Sequence, residues 1–211
     1  MAFKIIGFFA GKVKSPYLLA ALLSVVPLTE IKGSILYVAS SGANIWLAAL
    51  CAYLPTLFLA ALEAAILPKL FRLLDKHPRC RRAAGLLTDR IAKAADKILH
   101  NSENQEKRMD RLLFGVYSFV ALPLPLTGIW AGGILAAMLG LDKKRTFLAL
   151  AAGNFTAGGI VLAVALLSGD YASAVLDLFC ALILIFLLIP LIKKAIKRRN
   201  LRDNFIEKRK C

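Results

Sequence analysis

Four ionisable residues lie within otherwise apolar stretches of this 211-residue chain: Glu30, Lys32, Glu63 and Asp177. A charge at such a position is expensive, and handling a substrate or an ion is the usual reason for one. Glu30 and Lys32 follow closely after Pro27, where a helix restarting beyond a proline break presents its positive N-terminal end. A carboxylate held there in a dehydrated cavity suits proton coupling, and the lysine beside it suits an anionic head group. Glu63 is one turn from the end of its apolar stretch, so reaching out to the interface accounts for it as well as function does. Asp177, near the outer end of the last apolar stretch, reads as interfacial. Thr29, Thr127 and Asn154 add hydrogen-bonding groups beside the breaks, while Trp130 fits either packing or the pathway. No nucleophile stands with a base, no ligand set has metal spacing, and no glycine loop cradles phosphate, so neither an enzyme nor a resident metal or cofactor is expected. His77 and His100 fall among charged residues and read as solvated.

The elements that must position these groups follow from the breaks. Residues 119–135 form an uncharged run holding Pro123, Pro125 and Gly128: the prolines end one helix and the glycine lets the chain turn into the next. From Leu112 to Leu141 no residue is charged. One crossing of a hydrocarbon layer of about 30 Å leaves residues over, so a hairpin that enters and leaves on one side uses this length better. Its irregular tip must meet protein or water, not lipid. The segment Pro27-Leu-Thr-Glu-Ile-Lys-Gly-Ser-Ile-Leu36 reads against Pro125-Leu-Thr-Gly-Ile-Trp-Ala-Gly-Gly-Ile-Leu135 with one inserted residue, and Leu47-Ala-Ala-Leu reads against Leu148-Ala-Leu-Ala. Such paired, proline-interrupted segments point to the binding site of a transporter built from repeats.

Hydrophobic residues make up 59% of the chain, the mean hydropathy is +0.67 and the formal charge is +15, a combination typical of multi-pass membrane proteins rather than soluble domains. Of 28 lysines and arginines, 12 fall in 69–111, three in 143–145 and nine in 193–210, so the charge marks topology. No groove-reading motif or aromatic interleaving accompanies it, which argues against nucleic acid as a partner. Cys51, Cys80, Cys180 and Cys211 are scattered and read as free thiols. The start of the chain, with lysines on both sides of a short apolar patch, suits an amphipathic surface segment rather than a cleaved signal.

The expected organisation is a single all-α polytopic membrane domain. It holds a first hairpin and span over 15–67, a cytoplasmic amphipathic basic segment over 69–111, a second hairpin and span over 112–168, a last span over 174–192 and a basic tail over 193–211. Within it the hairpin turns at 27–33, and Pro68 ends the span begun at Asn44. The positive-inside rule puts the basic segments and the C-terminus in the cytoplasm and the loop 169–173 outside. With one full span between them, the two re-entrant hairpins enter from opposite sides and the repeats are inverted.

The motifs also carry a resemblance. Pro27-Leu-Thr-Glu30-Ile-Lys32-Gly33, Leu122-Pro-Leu-Pro-Leu-Thr-Gly128-Ile-Trp130-Ala-Gly132 and Leu139-Gly-Leu-Asp-Lys-Lys-Arg-Thr resemble segments of the small multidrug export protein family over nearly all of 20–168. That family is distantly similar to the DedA/VTT membrane proteins, which have re-entrant hairpins and are implicated in lipid-carrier transport or scrambling. Where DedA proteins carry an arginine in the second hairpin region, residues 112–141 here are uncharged. The resemblance implies a transporter; with the breaks and the buried charges, the chain reads as an inner-membrane secondary transporter exporting small molecules, the alternative being a DedA-like transporter or scramblase of lipid phosphate carriers, with Pro27, Thr29, Glu30, Lys32, Glu63, Pro123, Pro125, Thr127, Gly128, Trp130 and Asn154 along its pathway. Its partners would be the lipid bilayer, a small-molecule or lipid-phosphate substrate and a coupling proton, with a homo-oligomer left open. The reading of another class is a non-transporting scaffold that recruits partners through 69–111.

Overall fold

The computed structural model describes residues 13, 15–75, 105–124, 126–171, 174, 175, 177–179, 181, 182 and 185. Ser15 and Pro16 open α1 (Pro16–Val25): the Ser15 hydroxyl accepts the Leu18 N–H, and a proline in the first turn gives up only an amide that has no helical partner. A turn over 26–29 containing Pro27 leads into α2 (Glu30–Ser41), which stops at Gly42 with φ of 71°, a left-handed conformation that glycine adopts without strain. Asn44 caps α3 (Ile45–Asp75) by accepting the N–H groups of Trp46 and Leu47. The second half repeats these devices. α4 (Gln105–Ala121) leads through a turn into α5 (Ile129–Met138), the chain passes Gly140 at φ of 67°, and Asp142 caps α6 (Lys143–Ser168) by accepting the N–H groups of Lys144 and Arg145. A 3-10 turn, Gly169–Tyr171, follows. Among the described residues the regular structure is all helix, joined by short turns, with no strand.

Two boundaries differ from expectation. Pro68 does not end α3, which continues through both Pro55 and Pro68 to Asp75; each proline removes one helical bond, and a long helix held by neighbours tolerates that. The basic segment 69–111 is, at its ends, the tail of α3 and the head of α4; residues 76–104 lie outside the described residues, as do 193–211 and most of 174–192. The described positions of that last stretch are helical, with Phe179 buried and Asp177 exposed.

α3 and α6 are long and apolar enough to cross a membrane. They are not the buried core helices of a soluble protein, because most of each is exposed and large apolar side chains line the exposed face. Trp46 is 65% and Phe58 72% exposed, with Leu50, Leu54, Leu62 and Ile66 on the same stripe. A surface of that kind is stable against lipid and a liability in water.

The two halves pack alike. α1 lies on α2 and α3 as α4 lies on α5 and α6, while α2 reaches across to α6 and α5 to α3. α3 and α6 run antiparallel: Leu59 and Ala60 share a cluster with Leu150, whereas Ala52 shares one with Val161 and Ala165. They cross where the Tyr53 hydroxyl donates to the Ala151 carbonyl (3.1 Å) and the Asn154 amide donates to the Thr56 hydroxyl (2.9 Å). On the other flank Gly153 lets α4 approach, since a methyl added there would lie 2.8 Å from the Tyr117 carbonyl oxygen and 2.9 Å from Val120. Backbone cannot move aside as a side chain can. Gly153→Val should therefore part α4 from α6 and cost about 1–3 kcal/mol, read as a lower unfolding temperature of the detergent-solubilised protein.

Candidate functional site

The two hairpin tips meet, and the bonds between them are reciprocal. Lys32, in the first turn of α2 and 1% exposed, donates from Nζ to the carbonyl oxygens of Leu124 (2.9 Å) and Thr127 (3.2 Å) and to the Thr127 hydroxyl (3.2 Å). Trp130, in the first turn of α5, donates from Nε1 to the Val25 carbonyl at the end of α1 (3.0 Å). Each tip thus satisfies carbonyls that the other's broken helix leaves without partners, which apolar surroundings require. Thr29 donates to the Leu23 carbonyl (2.6 Å) across its own break, and the Thr127 hydroxyl lies 2.9 Å from both the Leu122 and Leu124 carbonyls across the second.

Glu30 opens α2 at φ of 47°, a left-handed conformation that costs a non-glycine residue about 1–3 kcal/mol and persists only where its surroundings impose it. Residues two apart on a regular helix point away from each other, yet here the Glu30 carboxylate reaches within 3.8 Å of Lys32 Nζ. It rests on Gly128 so closely that a β-carbon there would fall on the carboxylate itself, and it faces the Trp130 backbone N–H at the start of α5. A carboxylate at a helix N-terminus is favoured by the unpaired amides and the helix dipole. Leu126, in the second tip, also has a left-handed φ, 69°.

Glu63, open between the interface and the pathway in the sequence, is buried. It is 4% exposed and does not reach the interface; its carboxylate lies against Gly133 of α5, where an added methyl would overlap Oε2 and sit 3.0 Å from Cδ. Among the described residues no donor reaches either of its oxygens. The interface reading of Glu63 is therefore corrected. The reason is that α3 runs on to Asp75, which puts Glu63 three turns from that end.

The structure thus brings Glu30, Lys32, Thr127, Gly128 and Trp130 together at the tips, with Thr29 beneath them and Glu63 beside them. Asn154 stands apart from this cluster, fully buried at the α3–α6 crossing and paired with Thr56, which in turn donates to the Tyr53 carbonyl (2.7 Å). Pro123 lines a cleft with Leu36, Val161 and Phe179, and Pro125 lies outside the described residues. Reading the sequence missed Thr56 and Gly133. The signal for Gly133 was its place in a Gly-Gly pair within an apolar helix, and for Thr56 its place 98 residues before Asn154.

Residues 30–160 match the model of a family described as "Putative small multi-drug export protein". The chain belongs to that family. Neither a curated protein nor a solved structure matches it. The matched stretch of the small multidrug export family begins at Glu30 and ends within α6 beyond Asn154, so it covers Lys32, Glu63, the second tip and the α3–α6 crossing. Family membership and two exposed, apolar helices of bilayer length make the chain a membrane protein.

Proposed function

We propose that the chain is a multi-pass secondary transporter that exports small molecules through the centre where the two hairpin tips meet. The observation that carries this reading is the reciprocal bonding of the tips by Lys32 and Trp130, which puts two stretches of non-helical backbone around buried charge. At 1.5 Å per residue α1, α2 and α5 are roughly 15–18 Å long, about half a hydrocarbon layer, which supports hairpins that re-enter.

An inverted repeat is supported by the register of the two halves. Gly42 and Gly140, Asn44 and Asp142, and Lys32 and Trp130 play matching parts 98 residues apart, with no insertion. Three further pairs with that spacing touch each other: Glu30 with Gly128, Tyr53 with Ala151, and Thr56 with Asn154. Equivalent positions meet only at a symmetry axis. Because α3 and α6 are antiparallel, that axis runs across them, in the plane of the membrane. Exchange of the two halves about it would open the tips alternately to the two sides, as transport requires. With 174–192 as the third span, the basic segments lie in the cytoplasm and the protein sits in the inner membrane.

An apolar cleft of about 310 Å³ between α2, α3 and α6, lined by Ile31, Trp46, Tyr53, Phe155, Gly158 and Leu162, suits the hydrophobic body of such a substrate. A lipid phosphate is less well served. The Lys32 ammonium that would bind it is already taken up by two carbonyls, Thr127 and Glu30.

In a cysteine-free background, Ser41→Cys and Lys143→Cys should label with an impermeant maleimide from opposite faces of the cell membrane, Ser41→Cys from outside. Labelling of both from one face would remove the inverted repeat. Flux of a lipophilic substrate in proteoliposomes, measured with and without a proton gradient, tests the transport itself.

A further inference from the structure

The buried charges at the tips do not balance. Glu30 and Glu63 are both carboxylates, Lys32 is the one cation beside them among the described residues, and all three are almost wholly buried. Of the other elements packed on α3, α1 and α5 contain no ionisable side chain apart from Tyr17 at the far end of α1, α2 adds only Tyr37 to Glu30 and Lys32, and the charges of α6 are confined to 143–145. Both carboxylates lie against glycines in the first part of α5, Glu30 on Gly128 and Glu63 on Gly133. Their surroundings nevertheless differ. Glu30 has Lys32 at 3.8 Å and the Trp130 N–H against it, whereas neither Glu63 oxygen meets a donor among the described residues.

We propose that Glu63 is the proton-binding group of this protein: its carboxyl, seated in the notch that Gly133 leaves in α5, takes up and releases one proton, while Glu30 is the fixed counter-charge of Lys32. An ionised carboxylate with neither donor nor cation is the costliest arrangement a buried acid can have, and a proton removes the charge without needing a coordination sphere. A metal ion would need several oxygen ligands, and no cluster of three or more acidic, His or Cys side chains exists among the described residues. Gly133 matters because only hydrogen on its Cα leaves room for the carboxyl. The proposal rests on the transporter reading for the use made of the proton, not for the binding itself.

The test is infrared difference spectroscopy of the protein reconstituted in vesicles, titrated between acidic and alkaline buffer, with no substrate present. Above the range in which exposed carboxyls titrate, the wild type should keep one protonated-carboxyl band that disappears as the pH rises further, and Glu63→Gln, which copies the neutral form, should lack that band while staying monodisperse. Gly133→Ala, which keeps every acid but fills the notch, should shift the titration of that band. Absence of the band from the wild type, or its persistence unchanged in Glu63→Gln, overturns the proposal. So does an unshifted titration in Gly133→Ala, which keeps the test decisive if Glu63→Gln does not fold. A band that behaves as expected in a protein showing no flux would sink the exporter reading and leave the proton site standing; gradient-driven flux undiminished in a folded Glu63→Gln would keep the exporter reading and overturn the use of the Glu63 proton in driving it.

Discussion

Lys32→Met should be among the most destabilising single substitutions in the chain, lowering stability by about 3–5 kcal/mol, the usual result of removing one member of a buried ion pair. Methionine keeps the length and most of the volume, so packing is not the cause. The Leu124 and Thr127 carbonyls would lose their donor, and Glu30 would lose its cation in a site with almost no access to solvent. Adding Glu30→Gln to Lys32→Met removes the stranded charge, and the double variant should recover roughly half of the loss, because only the carbonyls then remain unpaired. Thermal unfolding of the four proteins of this cycle in one detergent measures both effects. If the double variant is less stable than Lys32→Met alone, the 3.8 Å contact between Lys32 and Glu30 is not an ion pair of consequence.

What could be read from the sequence, and what could not, divides along physical lines. The two breaks were legible because proline and glycine act locally: α1 ends before Pro27, α4 ends before Pro123, and α5 starts after Gly128. The convergence of Glu30, Lys32, Thr127 and Trp130 was legible because apolar segments seldom carry such groups without cause. Pro68 misled, since a rule that holds for exposed helices weakens where no water competes for the backbone. The sequence match between the two halves keeps a spacing of 98 over 27–32 but slips to 99 at Ile35 and Ile134 and to 101 at Leu47 and Leu148, because in Leu/Ala-rich helices many registers match equally well. The caps decide instead. Asn44 and Asp142 both accept two amides at a helix start, and Gly42 and Gly140 both turn left-handed at a helix end; these positions are 98 apart, whereas the leucines are 101 apart. The burial of Glu63 was not legible for the related reason that it depends on where α3 ends and on a glycine in another helix.

Exchanging the residues at 30 and 128 should preserve the protein, although each single change should damage it severely. Gly128→Glu alone must place a side chain where the Glu30 carboxylate already lies and bring a second acid to one lysine, at a cost of about 3–5 kcal/mol. Glu30→Gly alone leaves Lys32 buried without an adjacent anion and the start of α5 without its carboxylate. The double variant returns one carboxylate to the same place from the opposite side. The backbone favours it: position 30 has the left-handed φ of 47° that glycine accepts freely, and position 128 has φ of −108° and ψ of −157°, an extended conformation open to any residue. A glutamate at 128 would then face the start of α2 as Glu30 now faces the start of α5, beside the same Lys32. Stability of the double variant should come within about 1–2 kcal/mol of wild type, with part of the gain from relief of strain at position 30. Unfolding temperature and the monodisperse fraction in detergent are the readouts. A double variant no better than Gly128→Glu would mean that positions 30 and 128 are not equivalent, and the symmetry axis through the tips would have to be given up.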